Sequence, residues 1–167
     1  MTAALRAVEG QSGETGRVNR RLVLVRHAKA KQGGPDAARE LAARGVADAT
    51  TLAEWLTEQD VVPDRVVLSP SVRTRQTWQH AAPPDGPEPE LDERVYENTV
   101  DDLRAIIRET PDDVQTLVLV GHNPSMGELA HFYDPTVREY PTGATAVFEL
   151  ADWGSPGRLT AFTVPRG

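Results

Sequence analysis

Three short stretches each carry an apolar run into a cationic side chain. In LVLVRHAKA, residues 22–30, four aliphatic residues stop at Arg26 and His27. In VVLSPSVRTRQT, residues 66–77, the run stops at Ser69 and Arg73 follows four residues later. In LVLVGHNPSMGEL, residues 117–129, it stops at Gly121, His122 and Asn123. The chain has only four histidines, and two of them occupy these positions. A guanidinium offers a planar fork matched to phosphate oxygens. An imidazole is a nucleophile able to carry a phosphoryl group that water later discharges. Two of each around one anion would stabilise the charge on the equatorial oxygens during phosphoryl transfer. No metal is needed for that chemistry.

These residues require rigid mounts that end in the same place. LVLV at 22–25, RVVLS at 65–69 and TLVLV at 116–120 are short, β-branched-rich runs bounded by polar or turn residues, the pattern of strands covered on both faces. Helical spacing lies between them. Residues 37–58 place Leu41, Gly45, Ala49, Leu52 and Leu56 on one face. Ser69-Pro70 reads as an N-cap and first-turn proline opening a helix to about His80. Thr99 caps a helix with Leu103, Ile106 and Ile107 on its apolar side, and Pro111 ends it. Asn123-Pro124 opens a fourth helix that closes near Tyr133. Residues 143–150 and 158–164 read as two further strands, and residues 81–98 as a proline-rich connection. Strands alternating with helices give an α/β fold with a mainly parallel sheet, whose ligands bind beyond the carboxyl ends of the strands. That edge is where Arg26, His27, Arg73 and His122 meet.

At 167 residues the chain suits one domain. Residues 1–20 lack periodicity and are expected to be a flexible tail, leaving 21–167 as the domain. A net charge of −7 argues against a general nucleic-acid binder. The absence of cysteine removes disulfides, thiolate catalysis and Cys-based metal sites. No His-x-His or His-Glu-x-x-His spacing marks a metal site either, so neither metal nor cofactor is expected. No apolar run approaches the ~20 residues of a membrane span. The run after Arg20-Arg21 is cut off by charge after four residues, so a cytoplasmic location is expected and no membrane partner.

The ordered motifs LVLVRHAKA, LAARG, VVLSPSVRTRQT, LDERVYE and LVLVGHNPSMGEL resemble the histidine phosphatase superfamily, also called phosphoglycerate mutase-like, over roughly residues 21–133. Within it the chain is most similar to the short SixA-type phosphohistidine phosphatases. The resemblance implies a three-layer α/β/α sandwich, His27 as the phosphorylated nucleophile, and Arg26, Arg73 and His122 as its partners in phosphate binding. It also implies Glu93, in LDERVYE, as proton donor, with Asp92, Glu97 and Glu90 close enough in sequence to replace it. Arg39 and Lys29 are expected at the rim. The family's common Arg-His-Gly is Arg26-His27-Ala28 here, and a position needing positive φ would strain alanine.

Three functions remain open at this point. The first is a metal-independent phosphatase for protein phosphohistidine, releasing inorganic phosphate. The second is a phosphatase for a small phosphomonoester on the same site. The third is a non-catalytic adaptor that binds phosphorylated proteins. His80 and His131 sit in helical patterns away from the strand ends and read as partly exposed structural residues. Trp55 and Trp78 read as packing.

Overall fold

The aliphatic runs form strands because their side chains are apolar on both faces and find helices on both sides. In the computed structural model, which describes residues 19–165, the chain runs β1 (Arg20–Arg26), α1 (Ala43–Glu58), β2 (Arg65–Leu68), α2 (Val72–Ala81), β3 (Glu90–Leu91), α3 (Val100–Arg108), β4 (Thr116–Gly121), α4 (Ser125–Tyr133), β5 (Thr145–Leu150) and β6 (Gly157–Thr163). The six strands make one sheet in the order β3-β2-β4-β1-β5-β6. β1 to β4 run parallel, while β5 pairs antiparallel with both β1 and β6.

Alternation along the strands divides the core into two layers. Leu22, Leu24, Leu117 and Leu119 pack with Leu103, Ile106 and Ile107 of α3 and Met126 and Leu129 of α4. Val23, Val25, Val118 and Val120 turn the other way, onto Leu52 and Leu56 of α1 and Trp78 of α2. Each fully buried aliphatic side chain contributes about 1.5–3 kcal/mol. The result is the three-layer α/β/α sandwich with a mainly parallel sheet. The tail expected over 1–20 lies, for residues 1–18, outside the described residues, and Arg20 already belongs to β1.

Three helix starts differ from the sequence reading, the last being α4, whose N-cap is Pro124 and not Asn123. α1 begins at Ala43, not at 37, and is preceded by a single 3-10 turn at Asp36–Ala38. Backbone groups between the two are spent on other segments. Leu41 N–H donates to Gln76 Oε1 (2.8 Å), Ala42 N–H to the Lys29 carbonyl (2.9 Å), and Lys31 N–H to the Glu40 carbonyl (2.8 Å). These tertiary bonds outcompete helical propensity. α2 is capped by Ser71, whose side chain accepts from Thr74 N–H, and not by Ser69. Ser69 Oγ turns inward instead, towards His122. Thr99 caps α3 as expected, in a reciprocal capping box with Asp102. Within the connection 81–98 the structure adds the short edge strand β3 and a second 3-10 turn, Glu93–Val95.

Candidate active site

The carboxyl ends of β1, β2 and β4 bring the expected groups together. Arg26 is the last residue of β1, and His27 follows it with its N–H on the Gly121 carbonyl at the end of β4 (3.0 Å). Arg73 is the second residue of α2, and His122 directly follows β4. The His27 and His122 rings lie 5.1 Å apart between centroids. Arg73 Nε is 3.4 Å from His27 Nε2, and Arg73 Nη2 is 3.3 Å from His122 Nδ1. All three side chains are more than nine-tenths buried. They line a cleft of about 450 Å³ together with Arg26, Lys29, Asp36, Arg39, Tyr96 and Glu97.

The hydrogen bonds assign a proton to each ring. His27 Nδ1 is 2.8 Å from the Ala28 carbonyl, which only accepts, so Nδ1 carries the hydrogen and Nε2 keeps its lone pair. That lone pair faces the cleft. In His122, Nδ1 accepts from Arg73, which always donates, so Nε2 carries the hydrogen and donates to Ser69 Oγ (2.8 Å). Both nitrogens of His122 are thus engaged, whereas His27 Nε2 has only a long contact to Arg73.

Electrostatics agrees with neutral rings. Burial first, then the Arg73 and Arg26 charges, push His27 down to about 4. Burial, His27 and Arg73 push His122 down to about 3. A depressed histidine in the fold means that the unfolded chain binds more protons between about pH 4 and 6.5, so stability rises with pH across that window. Each ring is therefore expected to remove about 1–2 kcal/mol as pH falls from 7 to 5. Melting curves at the two pH values should show this loss, and His122→Asn should make it shallower.

The backbone at Arg26 and His27 is clamped from two sides. Gly143, at φ 80°, donates its N–H to the carbonyls of Arg26 (3.1 Å) and His27 (2.9 Å), and Arg26 N–H donates to the Ala144 carbonyl (3.0 Å). Thr77 of α2 accepts from Ala28 N–H (3.0 Å) and donates to the Arg73 carbonyl (2.8 Å), tying the segments of His27 and Arg73 together. Ala28 does not take positive φ, so alanine is unstrained there. Arg26 Nη1 donates to the Tyr140 carbonyl (3.1 Å).

Lys29 and Arg39 line the cleft as expected. Glu93 does not. It is exposed in its 3-10 turn and lies outside the cleft lining. Of the neighbouring acids, Asp92 is bound by Arg94 and Glu90 by Arg65, leaving Glu97 as the one that lines the cleft. Asp36 and Tyr96 were missed from sequence. Tyr96 OH donates to Asp36 Oδ2 (2.6 Å), and its ring stands edge-on to His122. Their only sequence signal is proximity, Asp36 three residues before Arg39 and Tyr96 inside LDERVYE. His80 and His131 are exposed, away from the cleft. No cluster of metal-ligating side chains occurs among the described residues, and no helix among them is long and apolar enough to cross a membrane.

The description of the histidine phosphatase superfamily (branch 1) matches residues 22–128, well over half of the chain. This chain belongs to the histidine phosphatase superfamily. Histidine phosphatases act through a histidine nucleophile, and this one is a phosphatase of that kind. The protein MT1313 of Mycobacterium tuberculosis is 34% identical over 160 residues, spanning 85% of this chain and 100% of its own length. Among solved structures, one assigned as a SixA phosphohistidine phosphatase from Nakamurella multipartitia superposes with a TM-score of 0.82 at 27% identity, covering 89% of this chain and 98% of its own. Another so assigned, from Agrobacterium tumefaciens, gives 0.78 at 28%, covering 88% and 99%.

Proposed function

We propose that His27 is the nucleophile, that Arg26, Arg73 and His122 bind the phosphoryl group with it, and that the substrate is phosphohistidine on a protein. The observation that carries this reading is the His27 ring itself: neutral, held by Nδ1–H on the Ala28 carbonyl, with the Nε2 lone pair open to the cleft. Nε2 attacks phosphorus in line as the bond from phosphorus to the leaving nitrogen breaks, and the leaving imidazole departs with a proton it already carries. Water then attacks the phosphorylated His27. The phosphorus–Nε2 bond breaks, the water's proton goes to solvent, and inorganic phosphate leaves. Arg73 and Arg26 balance the equatorial charge in both steps.

The choice of phosphohistidine rests on the acids. Asp36 is held ionised by the Tyr96 hydroxyl, Arg73 and Arg39, well below the usual carboxylate range. Glu93 stands outside the cleft, and Glu97, the remaining acid on its lining, is solvent-exposed rather than buried against His27, Arg73 and His122. A protonated phosphorus–nitrogen bond needs no acid to leave, whereas an alkoxide does. The similarity to SixA-assigned structures supports the same choice.

The test is a comparison of kcat/KM for a phosphohistidine peptide with values for alkyl phosphomonoesters and p-nitrophenyl phosphate. The peptide is expected to exceed the alkyl esters by about 10²-fold or more, the scale of one missing general acid. Glu93→Gln should leave peptide turnover unchanged. A preference for a small alkyl phosphate would make this a metabolite phosphatase on the same machinery.

A further inference from the structure

Asp36 takes no part in the mechanism as written, yet three side chains from three different segments converge on it. Its turn follows β1, behind Gly33 and Gly34, whose φ angles of 87° and 75° reverse the chain. Arg73 Nη1 donates to the Asp36 carbonyl oxygen (2.7 Å), and Arg73 Nη2 donates to Asp36 Oδ2 (3.1 Å). Arg39 Nη1 donates to Asp36 Oδ1 (3.1 Å), and Tyr96 OH to Oδ2.

These contacts use one edge of the Arg73 guanidinium, the edge between Nη1 and Nη2. The other edge, Nε and Nη2, faces His27 Nε2 and His122 Nδ1 at 3.4 and 3.3 Å. Both are long for hydrogen bonds, as expected of donors waiting for a better acceptor. A guanidinium is rigid and planar, so fixing one edge fixes the direction of the other. Without such an anchor the three carbons of the arginine stem would leave the fork free to turn. Asp36 is itself braced by Arg39, whose Nε donates to the Lys31 carbonyl (2.7 Å).

We infer that Asp36 is a positioning residue: it grips the outer edge of Arg73 and so aims the inner edge at the phosphoryl oxygens between His27 and His122. The carboxylate is half exposed, and its ion pairs add little to stability. Its contribution lies in the orientation of a transition-state contact, where a misplacement of about 1 Å costs up to 10²-fold. This inference rests on the pocket assigned under Proposed function.

The test is a cycle of Asp36→Ala, Arg73→Ala and the double variant, read with p-nitrophenyl phosphate. Asp36→Ala is expected to lower kcat about 10- to 100-fold while KM changes less than about threefold. Affinity for orthovanadate, which mimics the five-coordinate transition state, should fall in step with kcat, and affinity for inorganic phosphate much less. In the Arg73→Ala background, Asp36→Ala should change kcat by less than about twofold, because it acts through the missing guanidinium. Both variants keep the backbone carbonyl that accepts from Arg73 Nη1, but Asp36→Asn also keeps a side-chain acceptor oxygen for Nη2, and it should recover most of the activity. Equal losses in both backgrounds, or no loss from Asp36→Ala and Asp36→Asn alike, would overturn the inference. Full activity in Arg73→Ala would overturn the pocket assignment as well, a separate result.

Discussion

Alanine at position 27 is expected to leave a folded protein that binds phosphate and turns nothing over. The loss in kcat should be at least about 10³-fold, the scale on which removing a nucleophile leaves only binding and electrostatic contributions. On the proposed pocket three of the four phosphate-binding groups stay in place, so inhibition by inorganic phosphate should weaken by less than about tenfold. The decisive readout is the intermediate. Wild-type protein quenched during turnover of a 32P-labelled substrate should carry an acid-labile, base-stable label, and His27→Ala should carry none. His122 is a poor substitute as nucleophile, because its Nδ1 accepts from Arg73 and its Nε2 donates to Ser69. A label that survives in His27→Ala and disappears in His122→Ala would exchange the two roles.

Gly45→Ala is expected to damage both stability and activity from the far side of the His27 segment. The first turn of α1 lies against the backbone of Lys29, and a Cβ at position 45 would sit 2.1 Å from the Lys29 carbonyl oxygen. No rotamer relieves a clash between Cβ and backbone, so helix and strand end must separate. Overpacking of this kind costs about 1–3 kcal/mol and occasionally more, against a gain of about 1 kcal/mol in helix propensity. Net of that gain, and at this size, the melting temperature should fall by up to roughly 8 °C. Lys29 is two residues from His27, and the Ala42 N–H bond to the same carbonyl would be lost with the displacement. A shift at that point should lower kcat by about 10-fold or more. Ala47→Gly, on the exposed face of α1, is the control: it should weaken the helix by about 1 kcal/mol and leave kcat unchanged.

Those two residues illustrate what could be read in advance. The strands that end at Arg26 and just before His122 were legible because their apolar runs are continuous, and continuous runs mark strands covered on both faces. Once the strands were parallel, their carboxyl ends had to coincide, and the cationic cluster followed. Gly45 was legible as part of a helix face, but not as the point of contact with Lys29, since nothing local in the sequence encodes a partner sixteen residues away. The early helix start at 37 failed for the same reason: Leu41 and Ala42 spend their N–H groups on Gln76 and Lys29, partners set by tertiary packing. Asp36 and Tyr96 were hidden because exposed-looking loop residues carry no periodic signal. Glu93 was placed by resemblance alone, and a 3-10 turn faces it outward while presenting Tyr96 and Glu97 to the cleft.

The paired bonds from Gly143 to the carbonyls of residues 26 and 27 reach beyond the stretch that identifies the family, which stops at 128. A fragment cut where that stretch stops would possess every side chain of the proposed pocket, yet it would release the main chain beneath His27. The C-terminal hairpin, which contributes no chemistry, is therefore a place where damage could silence the enzyme while its diagnostic motifs stayed whole.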